Sequence, residues 1–228
     1  MVHRRFALHT AAVVLASLSL SVSAWADVTG TVWTVQGNWN NAGPNSIIGT
    51  GAVEDGTFTA ANIDFATSSG TSTLQDFLNS GGATENGGFL STALGKLMSN
   101  CSTSGPTNDP SCYSTVIEIT GYGTFLGGTT YTLSHDDGAI LCVADPTCKS
   151  TPEINSPAPT NDIGTPWTPS SDTTGNFAIW YMGTNGNPED LQISPNFATP
   201  EAGAISMLVS MLVGIAGFVG VFRKKLSA

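Results

Sequence analysis

The residues best suited by type to do chemistry form the segment His135-Asp136-Asp137-Gly138, which lies between two β-prone stretches. The chain has three histidines, and His135 is the one that lies outside the amino-terminal segment, where His3 and His9 are found. A zinc site built on several histidines is therefore excluded from the rest of the chain, and no Gly-x-Ser-x-Gly sequence supplies a serine nucleophile. We interpret His135 as a hydrogen-bonded turn residue and expect no catalytic residue in this segment.

The adjacent carboxylates of Asp136 and Asp137 are typical of a tight turn. Such a turn favours aspartate because its side chain bonds to nearby amides, and it favours a glycine such as Gly138 because glycine adopts a positive φ. Some pair among the seventeen acidic residues could hydrolyse a glycosidic bond in a deep cleft, provided that burial raises the pKa of one of them, and a solvent-open turn at Asp136 and Asp137 would argue against this. Glu189 and Asp190 form a second acidic pair, which we interpret as a solvated loop tip.

Short β-prone stretches separated by turn residues predict the elements that carry these groups, and together they favour a single antiparallel β-sandwich. Apolar residues on both faces of the stretch Asn176–Met182 predict a central strand. The best helix candidate is Gly88–Met98, whose apolar residues fall at helical spacing. The predicted strands are Val28–Val35, Thr57–Phe65, Thr115–Phe125, Thr129–Ser134, Ala139–Ala144, Asn176–Met182 and Leu191–Ser194.

The segment Thr151–Ser171 contains five prolines and is predicted to be a loop, because a proline cannot donate within a central strand. Trp167 within it, and Trp39 among other turn residues, are the tryptophans we expect to be most exposed. Either could stack on a sugar, whereas Trp33 and Trp180 lie on predicted strands and are expected to be buried.

Four cysteines in an exported chain predict two disulfides. Sequence proximity favours the pairs Cys101–Cys112 and Cys142–Cys148, since both intervals contain proline and polar turn residues. A zinc site is the alternative, but the spacing contains no Cys-x-x-Cys.

Both ends of the chain predict targeting segments, which leave residues 27–198 as one domain. Residues 1–26 predict a secretory signal peptide with basic residues, a short apolar run and a small-x-small cleavage site: Arg4, Arg5, Ala11–Val22 and Ala24–Ala26. Residues 199–228 predict a sorting tail with a polar motif, an apolar run and a basic end: Thr199, Pro200, Glu201, 204–222, Arg223, Lys224 and Lys225. At about 1.5 Å per residue the run forms a transmembrane helix about 28 Å long.

The charge of the exported part limits its partners. All seventeen acidic residues lie between Asp27 and Glu201, where Lys96 and Lys149 are the basic residues, so the net charge there is −15. Such a surface repels phosphate backbones, and nucleic acid is therefore excluded as a partner. Cations, neutral sugars or a basic protein fit this charge.

The tail resembles the PEP-CTERM signal of Gram-negative bacteria, which is recognised by an exosortase near a Pro-Glu pair. The usual motif is Pro-Glu-Pro, and Ala202 stands where the second proline would be. The resemblance implies an exosortase-type protease as partner and a helix held in the inner membrane, with the domain in the periplasm before transfer to the cell surface or secretion. A plain carboxyl-terminal anchor is the alternative.

The segments around Asp136-Asp137-Gly138 and Asn176–Ile193 together resemble the PA14 β-sandwich, and the Gly30–Trp33 strand resembles the start of PA14-like domains in PEP-CTERM proteins. In carbohydrate-binding members, adjacent aspartates and a later asparagine bind Ca²⁺, which then binds sugar hydroxyls. The resemblance implies Asp136 and Asp137 as calcium ligands, with Asn185 or Asn187 as the asparagine. Carboxylate and amide oxygens are the ligands that Ca²⁺ prefers.

These observations predict an exported protein of the cell surface or extracellular matrix that is not an enzyme and binds glycan, such as exopolysaccharide. Two alternatives stay open. One is a glycan-degrading hydrolase with paired carboxylates, and the other is a purely structural matrix protein without a site.

Overall fold

Two antiparallel sheets form a β-sandwich, as the strand pattern predicted. The computed structural model describes residues 27–37, 41–47, 51–67, 72–89, 91–101, 112–184 and 189–197, all within one compact unit, Asp27–Thr199. The strands described there are β1 Val28–Gln36, β2 Val53–Ala60, β3 Asp64–Ala66, β4 Thr84–Glu85, β5 Tyr113–Phe125, β6 Tyr131–His135, β7 Gly138–Val143, β8 Ile154–Ser156, β9 Ile163–Trp167, β10 Thr173–Gly183 and β11 Asp190–Ser194.

The large sheet has the order β4-β2-β1-β5-β10-β7-β8, and the small sheet has the order β3-β11-β6-β9. The predicted signal peptide and sorting tail lie outside the described residues. Among the residues that are described, no helix is both long and apolar enough to cross a membrane.

Strand β10 is central, as its two apolar faces predicted. It pairs with β5 and β7, and every residue from Phe177 to Gly183 is buried. Ile179 and Tyr181 belong to the core between the sheets. Trp180 faces the other way and stacks on Trp33, with ring centroids 5.8 Å apart. A second apolar cluster therefore covers the outer face of the large sheet.

The predicted strand Thr57–Phe65 is two strands. The chain bends at Ala61 and Asn62, so that β2 belongs to the large sheet and β3 to the small one. Hydrophobic pattern alone does not reveal this bend, because residues on both sides of it pack into the same core.

The predicted helix Gly88–Met98 is also wrong in extent, since among the residues described in that range the helix is α2, Ser91–Leu94. The longer helix is α1, Leu74–Ser80, which was not predicted. Thr73 and Asp76 form a capping box at its start, and this Thr-x-x-Asp spacing was the available signal. A 3₁₀ turn covers Pro44–Ser46.

The proline-rich segment Thr151–Ser171 is not simply a loop, because it contains β8 and β9. Both strands lie at sheet edges, and Pro166 lies within β9. The exclusion of a central strand was therefore right, and the edge position explains how the prolines are tolerated.

Both predicted disulfides are confirmed, as Cys101 bonds to Cys112 and Cys142 bonds to Cys148. The first bond closes a segment that precedes β5. The second closes the turn that follows β7.

Candidate functional site

Asp136 and Asp137 connect the two sheets. Strand β6 ends at His135 in the small sheet, and β7 begins at Gly138 in the large one, so the turn is a corner of the sandwich and not a hairpin. Asp137 itself has a positive φ of 70°, whereas Gly138 does not. The expected role of Gly138 was therefore wrong: a Cβ there would overlap the carbonyl oxygen of Pro157, so glycine is required for close backbone approach.

Asp137 is fully buried and bonded on several sides. Its Oδ2 accepts a hydrogen bond of 2.7 Å from the backbone amide of Thr184, and its own amide donates to Thr160. The carbonyl of Asp137 accepts a bond of 2.7 Å from Nδ1 of His135. His135 is therefore hydrogen-bonded as expected, but it is the last residue of β6 and not part of the turn. Burial lowers its pKa and favours the neutral ring.

The later loop begins and ends beside the aspartate corner. Thr184, which follows β10, donates to Asp137. Asp190, which begins β11, accepts a bond of 3.0 Å from the amide of Asp136 through its carbonyl oxygen. Residues 185–188 run between these two anchors, and the candidate ligands Asn185 and Asn187 lie outside the described residues.

Glu189 is not the solvated tip that we expected, because it is fully buried. Its Oε2 accepts a hydrogen bond from the hydroxyl of Tyr181, and its Oε1 has no hydrogen-bond partner. Burial raises the pKa of Glu189 well above its usual value, and the charge of Asp137 raises it further. A side chain on Gly183 would crowd this carboxyl group, so glycine makes room for it.

The partly exposed acids around the corner affect one another. Burial raises the pKa of Asp190 to about 6, with additional repulsion from Asp162, Asp136 and Asp64. Burial also raises the pKa of Asp136, and Asp162 again adds to the effect. The corner is therefore a region of concentrated negative charge.

No three side chains of histidine, cysteine, aspartate or glutamate meet closely enough to hold a metal ion, within the part of the chain that the structure describes. Asp136 and Asp137 would therefore need oxygen ligands from the 185–188 loop or from the backbone to bind a cation.

The tryptophans do not form an open platform in the described residues. Trp167 is partly buried, and its ring lies against Phe125 and Tyr131 with centroid distances of 5.4 and 6.1 Å. Trp180 is buried as expected, whereas Trp33, which stacks on it, is only partly buried. Trp39 lies outside the described residues.

A shallow depression of about 350 Å³ lies near the opposite end of β10. Its lining residues are Asp27, Thr29, Thr120, Gly121, Pro146, Asn176 and Phe177. Asp27 is the one carboxylate among them, so this depression lacks the pair of acids that glycoside hydrolysis requires.

No family model matches the chain, and no curated protein matches it significantly. Several solved structures do match it. The PA14 domain of the MpAFP antifreeze protein matches with a TM-score of 0.51 and 19% identity, over 77% of this chain and 87% of that one. A PA14 sugar-binding domain from an RTX adhesin gives a TM-score of 0.48 and 18% identity, over 77% and 99% of the two chains. The first likeness shows the fold, and the chain is a PA14-like β-sandwich.

Proposed function

We propose that this protein is an exported, non-enzymatic module that binds glycan through a calcium ion at the Asp136-Asp137 corner. The observation that carries the proposal is the position of the described residues on either side of 185–188. Thr184 donates a hydrogen bond to Asp137, and the amide of Asp136 donates one to Asp190, so both flanking residues lie beside the two aspartates.

The corner has the chemistry that a calcium ion requires. Asp136 and Asp137 offer carboxylate oxygens, and Asn185 or Asn187 would add a side-chain amide. Glu189 supports the same conclusion, because a buried carboxyl oxygen without a partner, next to another buried acid, lacks compensating positive charge. A divalent cation supplies that charge and lowers the pKa of nearby carboxyl groups.

A glycan is the ligand class that best suits this arrangement. Calcium takes six to eight oxygen ligands and accepts neighbouring hydroxyls of a sugar as some of them. The resemblance to carbohydrate-binding PA14 domains supports the same class. The net charge of −15 in the exported part favours a neutral polysaccharide over an anionic one.

Binding is favoured over hydrolysis by the environment of the acids. A glycosidase places two carboxyl groups about 5 to 10 Å apart across a substrate cleft. Here Asp136 and Asp137 are consecutive residues in a corner, and Oδ2 of Asp137 accepts the amide of Thr184.

Export and sorting complete the proposal. The predicted signal peptide, the Thr199-Pro200-Glu201 motif and the basic end indicate passage through the inner membrane and processing by an exosortase, followed by a location at the cell surface or in the matrix. The two disulfides support an oxidising compartment.

Calcium binding is tested by titration calorimetry on the purified full-length protein, in a detergent without a sugar headgroup. We expect heat with CaCl₂ and much less with MgCl₂, which keeps its water ligands more firmly. Asp136→Asn should abolish the heat, whereas Glu85→Gln on the exposed edge strand β4 should leave it unchanged. Absence of heat in the wild type would remove the metal site.

Glycan binding is tested on a glycan microarray with CaCl₂ or EDTA. We expect binding to neutral glycans in calcium and its loss in EDTA and in Asp136→Asn. Binding that resists both treatments would place the sugar elsewhere, and no binding at all would favour a structural matrix role.

Sorting is tested by fractionating cells and determining the carboxyl terminus by mass spectrometry. We expect processing near Pro200-Glu201 in the wild type and retention in the membrane when both residues are replaced by alanine. An intact tail in the wild type would favour the plain membrane anchor.

A further inference from the structure

Thr184, the residue that leads into the 185–188 loop, is held by three separate groups. Its amide donates to Oδ2 of Asp137 at 2.7 Å. Its carbonyl oxygen accepts a bond of 2.8 Å from the hydroxyl of Ser99, and its Oγ1 accepts one of 2.9 Å from the hydroxyl of Ser114. All four residues are buried, so each bond is protected from competition with water.

The two serines flank one disulfide. Ser99 lies two residues before Cys101, and Ser114 lies two residues after Cys112. The amide of Cys101 also donates to Oγ of Ser99 at 3.1 Å. The Cys101–Cys112 bond therefore joins the two chain segments that supply the hydroxyls for Thr184.

The other disulfide does not join segments that contact Thr184. Cys142 and Cys148 close the turn at the far end of β7, where the amide of Ala144 bonds to the carbonyl of Asn176. Gly138 begins β7 at the aspartate corner, so Cys142 lies about 13 Å from it along the strand. This disulfide provides a matched control for the first one.

We propose that the Cys101–Cys112 disulfide positions Thr184 and, through it, the Asp137 carboxylate, acting through the hydroxyls of Ser99 and Ser114. This inference rests on the proposed calcium site for its functional consequence, whereas the positioning of Thr184 rests on the contacts alone. The bond is thus a positioning element of the binding site as well as a covalent constraint on the unfolded chain.

The test compares Cys101→Ala/Cys112→Ala with Cys142→Ala/Cys148→Ala in the full-length protein. The first readout is hydrogen exchange of the Thr184 amide in EDTA, and the second is the dissociation constant for calcium. The first double variant should raise the exchange rate and weaken calcium binding, because Ser99 and Ser114 are no longer joined next to Thr184. We expect each change to be about tenfold, which corresponds to about 1.4 kcal/mol. The control should lower the melting temperature but keep both values within about twofold of the wild type.

Ser99→Ala keeps the inference testable if the first double variant fails to fold. This variant removes the hydroxyl that contacts the carbonyl oxygens of Thr184 and Tyr113 and the amide of Cys101. We expect faster exchange at Thr184 and calcium binding weakened by about fivefold. Unchanged exchange in folded Ser99→Ala, or equal effects of the two double variants, would overturn the positioning role. No calcium heat in the wild type would instead defeat the proposed function and the calcium consequence, while the exchange data would still decide how Thr184 is held.

Discussion

The two acidic pairs of this chain, Asp136-Asp137 and Glu189-Asp190, meet at one end of the sandwich but differ in how their charge is compensated. In each pair one acid is fully buried and the other is partly exposed. Buried Asp137 accepts a backbone amide from Thr184. Buried Glu189 has one carboxyl oxygen without any partner.

This difference separates a buried acid that is hydrogen-bonded to the backbone from one that keeps an unsatisfied oxygen. A carboxylate bonded to a buried amide contributes to stability, because both groups are satisfied. A buried carboxyl oxygen without a partner costs free energy, and it is retained in proteins where a proton or a cation can satisfy it. The comparison therefore assigns Asp137 a structural role in addition to its proposed calcium role, and identifies Glu189 as a buried acid whose ionisation costs stability.

The largest effect is expected for Asp137→Ala. The amide of Thr184 loses its buried acceptor, and alanine must adopt a φ of 70°, so we expect a loss of about 2–4 kcal/mol in the free energy of unfolding. Urea denaturation in EDTA measures this loss. Asp137→Asn keeps an acceptor and tolerates the left-handed backbone, so it should cost clearly less. Equal losses in the two variants would contradict the role assigned to the Thr184 bond.

Glu189→Gln is expected to increase the stability of the protein. The pKa of Glu189 in the folded protein is raised above its usual value of 4.5, so the wild type should lose stability as the pH rises above 4.5, where the unfolded chain ionises first. Glutamine cannot ionise, and at pH 8 in EDTA we expect a gain of about 1–3 kcal/mol, the range for a buried unsatisfied group. Thermal unfolding between pH 5 and 8 measures it. Curves that run parallel for the two proteins would show that Glu189 is not the source of the pH dependence.

A smaller effect on stability is expected for Asp136→Asn. Asp136 is partly exposed, so its replacement should change the free energy of unfolding in EDTA by at most about 0.5 kcal/mol. Denaturation of this variant and of the wild type, each in EDTA and in CaCl₂, distinguishes a structural role of Asp136 from a calcium-binding role. Calcium should stabilise the wild type but not Asp136→Asn. A stability loss as large as that of Asp137→Ala would make Asp136 a structural residue instead.

The smallest effect concerns the titration of Asp190, whose pKa is about 6. Asp162→Asn should lower this pKa, because it removes one of the negative charges that raise it. Carboxyl carbon NMR in EDTA measures the change. Asp172→Asn, a substitution near the start of β10, should leave the titration of Asp190 unchanged, and a shift there would point to a change of fold rather than of local charge.

Features that depend on neighbours along the chain were predictable. The central position of β10 follows from apolar residues on both of its faces, and the disulfide pairs follow from short intervals rich in turn residues. Helix α1 was also within reach, since Thr73 and Asp76 carry the spacing of a capping box. Strands β8 and β9 were missed because prolines obscure edge strands, which need fewer ladder hydrogen bonds.

A strand-built body, two disulfides and a turn with adjacent aspartates could be predicted from the chain alone, because each depends on residue type and short spacing. The burial of Glu189 and the connection of two sheets by the aspartate turn became visible only in the folded chain. The same is true of the contacts by which Ser99 and Ser114 hold Thr184 beside Asp137. These contacts join residues up to 85 positions apart, and a chain reveals such pairings only after its sheets have packed.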